Sequence, residues 1–132
     1  MQRLPQLHFW VGFIGVLAFL ATGQYMFHAH AHLEGMADGP RMLYRSAHIY
    51  LLLCAILNLV VGIYLQPATQ RVPALLQYVV SAVLLLSPFV MLAGFFIEPL
   101  GNDLHRPVTR LGLYALFAIA ALLMVLGIRR RK

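Results

Sequence analysis

Four runs of the chain, residues 9–27, 46–65, 74–97 and 107–128, are almost wholly apolar, and they decide what this sequence can fold into. Arg110 is the single charged side chain inside them. Each run falls within the ~17–25 residues that a helix needs to cross a hydrocarbon core. None alternates with period two, and an open sheet would leave its edges unpaired in lipid. The runs therefore predict helices. The connections between them are short, so consecutive helices should pack antiparallel. The expected fold is all-α: an integral membrane four-helix up-down bundle forming one domain over residues 1–132.

Composition excludes the soluble alternative. The chain is 61% hydrophobic and 11% charged, where soluble domains carry about 25% charged residues. So few charges cannot cover a water-facing surface without leaving large apolar patches. The net charge of +6 and pI near 10.1 do not indicate nucleic acid, because no basic-and-aromatic motif accompanies them. The expected partners are the lipid bilayer and other membrane-protein subunits. The lone Cys54 lies in an apolar run and reads as a buried free thiol.

Local signals mark the ends of the runs. Gln66-Pro67 and Glu98-Pro99 close the second and third, since proline disfavours the α conformation in the residue before it. Pro107 suits a first helical turn, and Pro88, inside the third run, predicts a kink. The first run exceeds the ~7–15 residues of a signal-peptide core, although Ala29-His30-Ala31 loosely resembles a cleavage site. Gly12, Gly15, Gly62 and Gly94 permit close helix approach.

Charge distribution predicts orientation. One side of the four crossings would carry Arg3, Arg71, Arg129, Arg130, Arg131 and Lys132; the other would carry Arg41, Arg45, Arg106 and Arg110. The richer side should be cytoplasmic, which puts both termini there. Small size and short loops suit a bacterial inner membrane.

The opposite side gathers the chemistry. It holds His28, His30, His32, His48 and His105, and all four acids, Glu34, Asp38, Glu98 and Asp103. Only His8 belongs to the other end. Ionisable groups beside a membrane span are costly and mark function; the plainer reading is that loops outside a membrane are polar anyway. If the first helix continues, Tyr25, His28 and His32 share a face; if the segment is extended, His28, His30 and His32 project together. Arg41, Arg45 and His48 share a face of the second helix, and Arg106 neighbours Arg110 on the fourth. Glu98 is the natural partner of Arg110, as a structural ion pair clipping two helices together.

Two imidazoles from different helices can ligate haem iron, with arginines on the propionates. His28, His32, His48 and His105, with Arg45, Arg106 and Arg110, are the candidates for haem b. A transition metal is the other cofactor, with His28, His30, His32 and His48 as ligands. Met26, Met36 and Met42 nearby would favour copper among the ions, although each methionine is more simply a packing residue. Four arginines at one level could instead hold phosphates. No P-loop, G-x-S-x-G, H-E-x-x-H or C-x-x-C occurs, so an enzyme is expected only through a bound cofactor, and a non-enzyme is the simpler expectation. Asn58, Gln77 and Ser81 form no continuous proton relay. The function expected is a small membrane protein with a haem or metal site serving electron transfer or metal handling. The alternative is an accessory or assembly subunit whose polar face meets a partner or lipid headgroups.

Overall fold

The computed structural model describes residues 3–65, 71–101 and 104–130; Asp103, Arg131 and Lys132, which entered the charge pattern, lie outside them. Four helices follow in order: α1 (Arg3–His30), α2 (Asp38–Tyr64), α3 (Arg71–Ile97) and α4 (Pro107–Arg130). Short 3-10 turns at Ala31–Leu33 and Glu98–Leu100 extend α1 and α3. No strand occurs among the described residues. Three segments, Arg3–Leu33, Asp38–Tyr64 and Ala74–Leu100, are long and apolar enough to cross a membrane. In α4 the stretch Pro107–Ile119 is apolar but shorter than that. The helices start several residues before the apolar runs 9–27 and 46–65, because hydrogen bonding does not stop where hydropathy does.

Cross-helix contacts fix the topology. His8 meets Asn58 while Thr22 meets His48, so α1 and α2 run antiparallel. Asn58 reaches Leu84 and Tyr44 packs on Phe95, so α2 and α3 do too. Glu98 reaches Thr109, and Gly112 abuts Met91, reversing the chain again into α4. Both described ends of the chain therefore lie at one end of the bundle, and the histidine-rich turns lie at the other.

Small residues set the spacing of the first pair. A Cβ on Gly12 would fall 2.6 Å from the Leu59 nitrogen, and one on Gly62 would fall 2.6 Å from the Phe9 nitrogen. These are backbone atoms that cannot step aside. α1 and α2 thus touch main chain to main chain, the approach that small residues permit between helices in lipid. Leu51, Cys54, Val80, Leu84, Met91, Leu116 and Ile119 fill the space between α2, α3 and α4. Around this thin core the outward faces are apolar: Trp10, Ile14, Leu20, Ile49, Ile63, Leu86, Leu111 and Phe117 are all exposed. That surface suits hydrocarbon, not water.

Pro88 does not break α3, which runs through it. Proline has no N–H to give the carbonyl of Leu84, one turn back. That oxygen receives the Asn58 side-chain amide at 2.7 Å and the Ser87 hydroxyl at 2.8 Å instead. Re-satisfying an orphaned carbonyl in this way is how proline is tolerated inside membrane helices.

Candidate functional site

The seam between α1 and α2 carries two imidazoles, one toward each end of the bundle, and both are oriented by the same device. At the end shared by the chain termini, the Asn58 amide nitrogen donates to the carbonyls of Cys54 (2.9 Å) and Leu84 (2.7 Å). Its oxygen must then be the acceptor of the 2.8 Å contact from His8 Nδ1, so His8 carries its proton on Nδ1. His8 is fully buried, and its Nε2 has no hydrogen-bond partner among the described residues.

At the histidine-rich end, Thr22 gives its one hydroxyl proton to the Phe19 carbonyl at 2.9 Å, back-bonding to its own helix. The hydroxyl oxygen is left to accept from His48 Nδ1, also at 2.9 Å. His48 therefore carries a proton on Nδ1, and in its neutral form the lone pair lies on Nε2. The ring lies flat on Phe19, with centroids 4.0 Å apart and planes 19° apart. Its far edge passes over Gly23. A Cβ there would sit 3.4 Å from Cε1 and 3.8 Å from Nε2, so the glycine lets the ring lie close against α1. Nδ1 held by an oxygen is the arrangement that fixes the tautomer of metal-ligating histidines.

The remaining histidines part company. α1 ends at His30, and Ala31, His32 and Leu33 then turn left-handed, with φ of 43°, 60° and 65°. The segment is neither a continued α-helix nor extended. His28 and His32 are exposed and both present their rings to Phe27, at centroid distances of 4.7 and 4.1 Å. His30 turns the other way, against Tyr25 at 5.2 Å and Tyr44 at 5.1 Å. Its Nε2 is buried without a hydrogen bond among the described residues. Tyr25, Tyr44, Phe95 and Phe96 continue this aromatic cluster, every pair in contact edge-on or tilted. The alternating triad of histidines thus does not converge, and no three His, Cys, Asp or Glu side chains among the described residues come together as ligands would. His105 is exposed at the start of the turn into α4.

Of the arginines, Arg45 lies one turn before His48 on α2. Arg45 is exposed, Arg41 pairs with Asp38, Arg106 is half-buried and Arg110 is exposed. The carboxylate of Glu98 is not joined to Arg110. Its two oxygens take the backbone N–H of Thr109 at 2.8 Å and the Thr109 hydroxyl at 2.5 Å. Thr109 lies in the first turn of α4, where N–H groups are unpaired and the helix dipole favours a negative charge. Glu98, buried to 6% exposure, is therefore a cap that docks α4 onto α3. Gly94 makes room for it, since a Cβ there would lie 2.6 Å from the Thr109 hydroxyl.

Fold and site together define a class: an all-helical protein with three helices of membrane-spanning length and character, and a seam of oriented imidazoles between the first two. No protein-family model, curated protein or solved structure matches the chain.

Proposed function

We propose that the chain is a multi-pass membrane protein that binds haem through Nε2 of His48. The observation that carries this reading is the Phe19–Thr22–His48 hydrogen-bond chain, which fixes the ring with Nδ1 toward Thr22 and Nε2 beside Gly23. The ligand count favours haem over a bare ion. Only one imidazole is presented at this point, and a structural ion site takes about four protein ligands. A group that brings its own equatorial nitrogens needs only one or two from the protein. Bound there, it would supply one-electron chemistry. The protein's part is to fix ring orientation through Thr22 and stack Phe19 against one face.

For the membrane setting, α4 completes a fourth crossing, and the basic terminal end lies in the cytoplasm of a bacterial inner membrane. A reporter fused after Lys132 should be active only on the cytoplasmic side. An external signal would reverse the orientation.

The test of the cofactor is the visible spectrum of the full chain, expressed with iron and haem precursor and purified in detergent. A Soret band that shifts on dithionite reduction is expected. A colourless protein lacking stoichiometric iron, copper or zinc would reject cofactor binding altogether. That outcome would favour the second reading, an accessory subunit of a membrane complex, which rests on the collar of exposed His28, His32 and His105 at the same end.

A further inference from the structure

We propose a second site, besides that at His48: the first three turns of α2 seat the phosphate of an anionic phospholipid. Asp38, Arg41, Met42, Arg45, Ser46 and Ile49 line one shallow, open depression of roughly 450 Å³. Its upper part is charged. Arg41 is half-buried and held by Asp38 one turn earlier. Arg45, one turn further on, is exposed and forms no ion pair among the described residues. Two guanidiniums against one carboxylate leave the seat positive, and Arg45 has donors to spare for phosphate oxygens. Its lower part is apolar. Ile49 is 60% exposed and Leu53, one turn deeper, is 40% exposed; Met42, level with the arginines, is 46% exposed. Ser46 gives its proton to the Leu43 carbonyl at 3.1 Å, so the hydroxyl does not compete as a donor.

Charge over hydrocarbon, in that order along one helix face, is the profile of a phospholipid. A free phosphate would use Arg45 and Arg41 but gain nothing from Met42, Ile49 and Leu53. Arg41 and Arg45 precede His48 by two turns and by one turn on α2; His48 packs inward on Thr22 and Phe19, while Arg45 is exposed. The seat is read by lipid retention, separately from the His48 spectrum.

Native mass spectrometry of the delipidated full chain in detergent tests this with phosphatidylglycerol and phosphatidylcholine as probes. One phosphatidylglycerol should be retained preferentially, and each arginine near a headgroup should contribute about fivefold to that preference. R45Q should lower it about fivefold, and R41Q/R45Q should abolish it, with an unchanged thermal transition. M42N/I49N should weaken both lipids while keeping their ratio. Undiminished preference in R41Q/R45Q would overturn the site. Displacement of the lipid by millimolar inorganic phosphate would overturn the assignment to lipid.

Discussion

The two ends of the α1–α2 seam use one hydrogen-bonding device in different surroundings. At His8 the imidazole is sealed: Gly12 and Gly62 bring main chain against main chain, and Asn58 is tied to two carbonyls of α2 and α3. At His48 the ring rests on Phe19 at the edge of the seam, and the neighbouring Gly23 touches nothing closer than 3.4 Å from its would-be Cβ. Both Nδ1 contacts tie α1 to α2. What separates them is the glycine. Beside His8, glycine lets backbone meet backbone; beside His48, glycine lets the ring itself lie against α1. Asn58, which holds His8, lies ten residues from His48 along α2, or about 15 Å, so the two rings do not serve one site.

Substitutions should break this contrast in a definite order. Gly62→Val should be the most damaging, because its side chain meets the Phe9 backbone and the helices must separate. A loss of about 3 kcal/mol or more is expected, at the upper end of overpacking costs, read as loss of the cooperative unfolding transition in detergent. Next is Asn58→Leu, which strands the His8 N–H in an apolar interior and leaves the Leu84 carbonyl with the Ser87 hydroxyl alone. About 2 kcal/mol should be lost. Pro88→Ala returns an N–H to Leu84, so in that background Asn58→Leu should cost measurably less; strictly additive effects would show that Asn58 does not serve the proline's orphaned carbonyl.

Smaller effects are expected at the open end. Thr22→Val should lower stability by about 1 kcal/mol, in the range of single hydrogen bonds between membrane helices. It should nevertheless perturb the cofactor spectrum, because His48 loses its fixed tautomer. Gly23→Ala should be the mildest, within about 0.5 kcal/mol in stability, yet it should crowd Nε2 and lower haem occupancy. Equal damage from Gly23→Ala and Gly62→Ala would erase the distinction drawn between the two ends.

Much of this architecture could be read from hydropathy alone, since segments without charge have few alternatives to helix. The pairing of side chains could not. His8 looked peripheral because it precedes the apolar run 9–27; the helix begins at Arg3, so His8 is already inside it, opposite Asn58. Thr22 attracts no notice in an apolar run, and only its position against His48 makes it an orienting group. The triad His28, His30 and His32 was open to a helical or an extended reading, and the left-handed turn at residues 31–33 follows neither. Opposite charge suggested Arg110 for Glu98, but Thr109 offers an N–H and an O–H at the mouth of a helix, a closer match to a two-oxygen acceptor. A signal existed there: Glu98-Pro99 ends one helix, and Thr109 follows Pro107 by two residues at the start of the next.

The contrast between the two histidines is tested most directly by comparing the reduced-minus-oxidised absorbance of purified His48→Ala and His8→Gln. Glutamine keeps an amide to meet Asn58, so both variants should remain folded by their thermal transitions. His48→Ala is expected to be colourless, while His8→Gln retains the parent Soret band. Haem retained in His48→Ala, or lost only in His8→Gln, would contradict this contrast.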